Sequence, residues 1–144
     1  IDEFIDDDYI HNGGQKIEMY QRMAVLQSVQ ELDELQKELI DRYGKPTKPV
    51  ETLLEATRIR LRGKAMGLVL IAQKKTTLEL KWQNLHGMPP LAKLAPALRQ
   101  RLRPVPGSPT MVRVMLAPKD SEHILSLLKD LFKAFESLRK ETPP

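Results

Sequence analysis

Four carboxylates recur along one stretch of this sequence: Glu31, Glu34, Glu38 and Asp41 stand at i, i+3, i+7 and i+10. At 3.6 residues per turn that spacing gathers them on a single helix edge. Two readings fit such an edge. One is a solvated face, because surfaces tolerate like charges that repel by only a few tenths of a kcal/mol per pair. The other is a docking edge for a basic partner, toward which Asp41 points: a helix macrodipole disfavours a carboxylate near the C-terminus, so something else must favour it. Cations cluster further on, as Arg58, Arg60, Arg62 and Lys64 and then as Lys93, Arg99, Arg101 and Arg103. Arg58, Arg62, Arg99, Arg101 and Arg103 are the candidate phosphate contacts. A cationic helix end that merely matches its dipole explains Arg58 and Arg62 better than phosphate binding does. Only Trp82 supplies an aromatic near this basic half, which is poor provision for single-strand recognition by stacking.

Other chemistry has little to work with. There are no cysteines, which excludes thiolate catalysis, disulfides and Cys-based zinc sites. Gly13-Gly14 is followed by no Gly-Lys-Ser/Thr, so there is no phosphate loop of the Walker type. His11, His86 and His123 stand far apart in different element types and suggest neither a metal cluster nor a triad. Asp6, Asp7 and Asp8 are consecutive, and on an extended chain they point alternately to opposite faces. Ser28 and Ser121 are accounted for as helix caps. No catalytic, cofactor-binding or metal-ligating residue is assigned, and the chain by itself is expected not to be an enzyme.

At 144 residues, with 41% apolar and 29% charged side chains, the chain is one domain's worth of ordinary globular composition. Its charge is polarised: residues 1–57 hold 13 acidic and 6 basic side chains, residues 58–144 hold 6 and 17, leaving −7 and +11 within a total of +4. The basic half raises nucleic acid or an acidic partner as a prospect. The acidic half favours a protein that docks onto a basic surface. No apolar run reaches the roughly 20 residues that span a bilayer, and no basic-then-apolar leader opens the chain. The start at Ile1 rather than Met reads as a piece cut from something longer.

The elements that must position these residues follow from periodicity and punctuation. Ile1 to Ile10 reads as an extended arm or a frayed terminus. Lys16 to Leu26, with Ile17, Tyr20, Met23, Ala24 and Leu26 near helical period, is a first helix. Ser28 to Glu31 fits a capping box, in which the Glu31 carboxylate reaches back to the Ser28 N–H. The helix it opens carries Leu32, Leu35, Leu39 and Tyr43 as a narrow apolar stripe. Gly44 ends it as a residue able to take positive φ, and Pro49 starts a third helix that runs to Met66. Leu68–Ile71 and Leu78–Trp82 then suggest a hairpin. Leu91 to Leu102 resumes helical spacing around Pro96, which either kinks that helix or marks its true first turn. Met111–Leu116 reads as a third strand. A last helix, capped by Asp120 or Ser121, repeats Ile124, Leu128, Leu131, Phe135 and Leu138, with Leu125 and Phe132 widening the stripe toward packing on a sheet rather than a coiled-coil seam. The expected fold class is α+β: three N-terminal helices followed by a small mainly antiparallel sheet packed against two further helices. It divides as a helical half at 1–67 and a mixed half at 68–144 of a single domain.

Glu38-Leu39-Ile40-Asp41-Arg42-Tyr43-Gly44, with Met19 to Ala24 before it and Leu53-Leu54, Arg60-Leu61 and Gly67-Leu68 after it, resembles the C-terminal domain of the bacterial transcription-repair coupling factor (TRCF). The likeness is specific from about Tyr9 to Ile71. It departs from the family pattern at Tyr43 (usually Phe), at His11-Asn12 (usually Pro-Asp) and at Lys45-Pro46-Thr47 (usually Pro-Leu-Pro). The resemblance implies a regulatory domain that packs on the parent protein's N-terminal UvrB-like module and masks the surface that recruits UvrA. It also implies a parent that is a bacterial, cytoplasmic, ATP- and magnesium-dependent translocase on duplex DNA, acting on stalled RNA polymerase and handing the lesion to nucleotide excision repair. On that basis Glu31, Glu34, Glu38 and Asp41 are the partner-docking residues, no cofactor is held by this chain, and the alternative is a nucleic-acid-binding module using the basic half.

Overall fold

Side-chain caps and left-handed glycines decide where the helices begin and end. In the computed structural model, which describes residues 4–141, the Asn12 side chain accepts from the Gln15 N–H and opens α1 (Gly13–Ala24). The Ser28 hydroxyl accepts from the Glu31 N–H at 3.2 Å and opens α2 (Val29–Tyr43). Gly44 closes α2 with φ 85° and ψ −166°, its N–H donating to Ile40 O at 2.8 Å. α3 runs Lys48–Ala65, so Pro49 lies in its first turn, where a missing N–H costs no hydrogen bond.

The chain divides into two compact units, Ile1–Arg62 and Gly63–Pro144. In the first, the core gathers Ile5, Tyr9, Ile10, Met19, Met23 and Leu26 with Leu32, Leu35 and Leu39 of α2 and Val50, Leu54 and Leu61 of α3. The α2 stripe is buried as expected, with Tyr43 packed at its margin. α1 differs. Met19 and Met23 are its buried face, whereas Ile17 is 60% exposed and Tyr20 38%. Met23 is buried where the apolar spacing places it, and the flexible thioether of Met19 rather than Ile17 or Tyr20 completes that face.

Residues 5–10 are neither an extended arm nor a frayed end. The Tyr9 and Ile10 amides both donate to Asp6 O at 3.1 Å, which closes a turn that buries Ile5, Tyr9 and Ile10. Thr47 ties this turn down by donating its hydroxyl to Asp6 Oδ1 at 2.5 Å, and Lys16 pairs with Asp7. Asp2 and Glu3 lie outside the described residues.

The second unit holds a four-stranded antiparallel sheet in the order β1-β2-β4-β3, from β1 (Leu68–Gln73), β2 (Thr77–Trp82), β3 (Leu102–Val105) and β4 (Ser108–Met115). The expected hairpin closes over Lys75-Thr76, where the Lys74 N–H donates to Thr77 O at 2.7 Å. α4 (Pro96–Arg99) is a single turn with Pro96 in its first position, so the proline marks a start and does not kink a longer helix. Leu91 to Leu102 is therefore no continuous helix. A 3₁₀ turn at Leu91–Lys93 precedes α4, and Leu102 already belongs to β3. The sheet has four strands rather than three because Leu102–Val105, short and proline-bearing, gives almost no alternation to read. α5 (Ile124–Glu141) buries Leu131, Phe132 and Phe135, and Phe135 meets the fully buried Trp82 edge-on at 5.7 Å between ring centroids. The last helix thus packs on the sheet. Asp120 does not cap it: its carboxylate accepts the Ala117 N–H at 2.6 Å, holding a 3₁₀ turn at Pro118–Glu122. The Ser121 side chain lies outside the described residues.

Candidate functional site

Burial of Leu32, Leu35 and Leu39 turns Glu31, Glu34, Glu38 and Asp41 to one adjacent edge of α2, within about 80° of arc at 100° per residue. Their environments are unequal. Glu31 accepts from the Gln27 N–H at 3.2 Å and the Ser28 hydroxyl at 3.3 Å, so the reciprocal bond of the capping box goes to the residue before Ser28. Glu38 takes both arms of the Arg22 guanidinium, at 2.5 and 2.8 Å, and a bond from Arg42 at 3.2 Å. The Arg22 hydrogen bonds, against a smaller opposing effect of burial, draw its carboxyl down to about 2. Glu34 and Asp41 are exposed and have no ion-pair partner among the described residues.

An open groove of about 330 Å³ runs beside this edge. The buried Leu26 and Leu35 form its floor, and the exposed Val25, Glu31, Glu34 and the Arg22–Glu38 pair form its rim. An apolar floor with a carboxylate rim suits the aliphatic stem and cationic head of an arginine or lysine. Asp41 extends the acidic edge past the groove. Arg22 carried no signal in the sequence. It lies 16 residues from Glu38, and only the crossing of α1 and α2 brings the two together.

Most of the candidate phosphate contacts are engaged by groups within their own units. Arg58 donates to Asp33 at 2.8 Å and Gln36 at 3.2 Å within the first unit, on the helix that also carries the half-buried Arg62. In the second unit Arg99 donates to Ala92 O at 3.2 Å, and Arg103 to Gln100 O at 2.6 Å and Leu102 O at 2.9 Å. Arg101 bonds Met115 O at 3.1 Å and pairs with Asp120. Burial works to raise the Asp120 carboxyl, but the Ala117 N–H and Arg101 outweigh it and hold it below the ordinary carboxylate value. A cavity of about 360 Å³ beside Arg101 is lined by Lys119 and His123 as well as by Asp120 and Asp130, so two carboxylates offset its basic side chains. Among the described residues no three His, Cys, Asp or Glu side chains are placed to hold a metal ion.

The family model for the TRCF domain matches residues 1–91, which takes in the α2 edge, the groove and the first hairpin. The chain belongs to the TRCF domain family. Its curated relatives include the transcription-repair-coupling factors of Bacillus subtilis (strain 168), 36% identical over 80 residues, and of Escherichia coli (strain K12), 36% identical over 62 residues. The first alignment covers 56% of this chain and 7% of the relative, the second 43% and 5%. The matched stretches thus span less than a tenth of either relative's length. The crystal structure of a C-terminal domain of transcription-repair coupling factor superposes with a TM-score of 0.72 at 20% identity, over 99% of this chain and 92% of that one. The likeness of fold therefore extends past residue 91, through the rest of the sheet and α5.

Proposed function

We propose that this TRCF domain is a regulatory, protein-docking module. The acidic edge of α2 sits on a basic surface of the UvrB-like module in the longer protein and so masks the surface that recruits UvrA for nucleotide excision repair. That longer protein is an ATP- and magnesium-dependent translocase on duplex DNA that acts on stalled RNA polymerase in the bacterial cytoplasm, and this domain restrains it without taking part in its chemistry. The observation that carries the reading is the groove: an apolar floor rimmed by Glu31 and Glu34, continued by Asp41, is complementary to cationic side chains. Nucleic-acid binding by the basic half has less support, because Arg58, Arg99, Arg101 and Arg103 already donate to groups within their own units.

Glu38 is already neutralised by Arg22 and Arg42, so Glu34 and Asp41 are the charges that face a partner. A single exposed ion pair contributes at most about 1 kcal/mol, and one substitution would change little. Glu34→Lys together with Asp41→Lys replaces attraction by repulsion at two points two turns apart. In the full-length protein this pair of changes is expected to raise UvrA binding and ATPase rate while the melting curve of the domain stays near wild type. Wild-type UvrA binding and ATPase in a folded double variant would show the edge to be a solvated face.

A further inference from the structure

The two edges of the sheet are finished differently. β3 is guarded by Pro104, which has no N–H, and by Arg103, both exposed. β1 has no such guard: Leu68-Val69-Leu70-Ile71-Ala72-Gln73 contains neither charge nor proline. We propose that the outer edge of β1 is a docking site for an extended partner segment that carries alternating apolar side chains flanked by carboxylates, added to the sheet as a fifth strand.

Register identifies the groups on offer. The Lys74 N–H donates to Thr77 O, so 74 and 77 are a hydrogen-bonded pair, and the alternation of an antiparallel ladder makes 72 with 79 and 70 with 81 the next ones. Ile71 and Gln73 therefore turn both N–H and C=O away from β2. No hydrogen bond to these outward groups exists among the described residues. The register shift at Val69 interrupts the start of the edge and leaves Leu70–Gln73 as its regular part. Two outward residues supply two donors and two acceptors, enough for four bonds to an added strand. Val69 and Leu70, 58% and 39% exposed, provide apolar surface alongside.

Charge selects the occupant. Lys74 and Lys75 close one end of β1, Lys64 precedes the other, and Lys81 stands opposite Leu70 in register. Glu79 is the one acid on the neighbouring strand, and it is paired with Arg113 and Lys74. A second copy of this chain would bring like charges together at both ends of the strand, whereas carboxylates flanking an apolar strand would meet lysines.

The test uses the isotope-labelled chain and two synthetic peptides that share a Val-Thr-Val-Thr-Val centre, flanked by Glu-Glu in one and by Lys-Lys in the other. The glutamate peptide is expected to slow amide exchange at Ile71 and Gln73 while Leu70 and Ala72, already bonded to β2, change little. Gln73→Pro removes one outward donor from an exposed residue and is expected to weaken that binding by roughly tenfold. If this variant loses its dispersed amide spectrum, the wild-type exchange data decide alone. The proposal is overturned if the glutamate peptide leaves Ile71 and Gln73 unprotected or if the lysine peptide protects them equally. It is also overturned if they become protected with rising chain concentration in the absence of peptide, which would make the occupant a second copy.

Discussion

Arg22 and Glu38 form a two-armed ion pair across α1 and α2, with N···O distances of 2.5 and 2.8 Å. It joins the wall of the groove to the helix that carries the acidic edge. Both side chains remain more than a third exposed, at 39% and 37%, so solvent screens the pair and its contribution is set at about 1 kcal/mol or less.

Acid should remove that contribution. The Glu38 carboxyl is depressed from 4.5 to about 2, so its stabilisation is complete above pH 4.5 and is lost as pH falls toward 2. Thermal melts of wild type and Glu38→Gln are expected to differ at neutral pH and to converge across that window. A difference that persists unchanged at pH 2 would show that the pair is not the source.

Tyr9 closes the N-terminal turn onto the end of α2, its hydroxyl donating to Gly44 O at 2.7 Å with Leu39 O at 3.2 Å. Tyr9→Phe keeps the buried ring and leaves the Leu39 carbonyl of α2 with one partner fewer, for an expected loss of about 1–2 kcal/mol in denaturant melts. Burial raises the Tyr9 pKa above its ordinary 10.0. The folded state therefore holds this proton more tightly, and the contribution fades as pH rises above 10.

Gly44 tests backbone strain in isolation. A Cβ there would meet nothing within 4 Å, so a substitution acts through φ 85° alone. Gly44→Ala is expected to cost about 1–2 kcal/mol and to lower the melting temperature by several degrees. An unchanged melting temperature would mean that the turn relaxes to negative φ.

Asp120 is 7% exposed and holds both the Ala117 amide and Arg101. Asp120→Ala leaves the Ala117 amide without this acceptor and Arg101 without its carboxylate, though still bonded to Met115 O, and is expected to cost about 2–3 kcal/mol, more than Asp120→Asn, which keeps one acceptor. Its carboxyl lies below the ordinary 3.8, so this stability too is present above that value and declines below it.

Features governed by short-range rules were legible in the sequence. The Ser28 cap, the positive φ of Gly44, the leucine stripe of α2 and the hairpin of β1 and β2 each depend on a handful of neighbouring residues. Legibility failed where partners were distant or periods ambiguous. The apolar spacing from Leu91 to Leu102 looked helical, yet Pro90 and Pro96 divide it into single turns before β3 begins. On α1, apolar period could not tell Met19 and Met23 from the exposed Ile17 and Tyr20. The acidic edge was readable, but the arginine that neutralises its Glu38 was not.

Trp82 is the one tryptophan of the chain, fully buried in the second unit against Phe135. The molecule therefore carries its own optical probe, and carries it in the second unit only. Indole emission will follow the melting of the sheet and will sense a ligand at β1, whose Leu68 lies opposite Trp82 in register. The α2 groove has no indole of its own to respond. A fluorescence titration that stays flat is thus no proof that nothing binds in the groove, and a tryptophan placed at the exposed Val25 on the groove rim would give that unit a signal of its own.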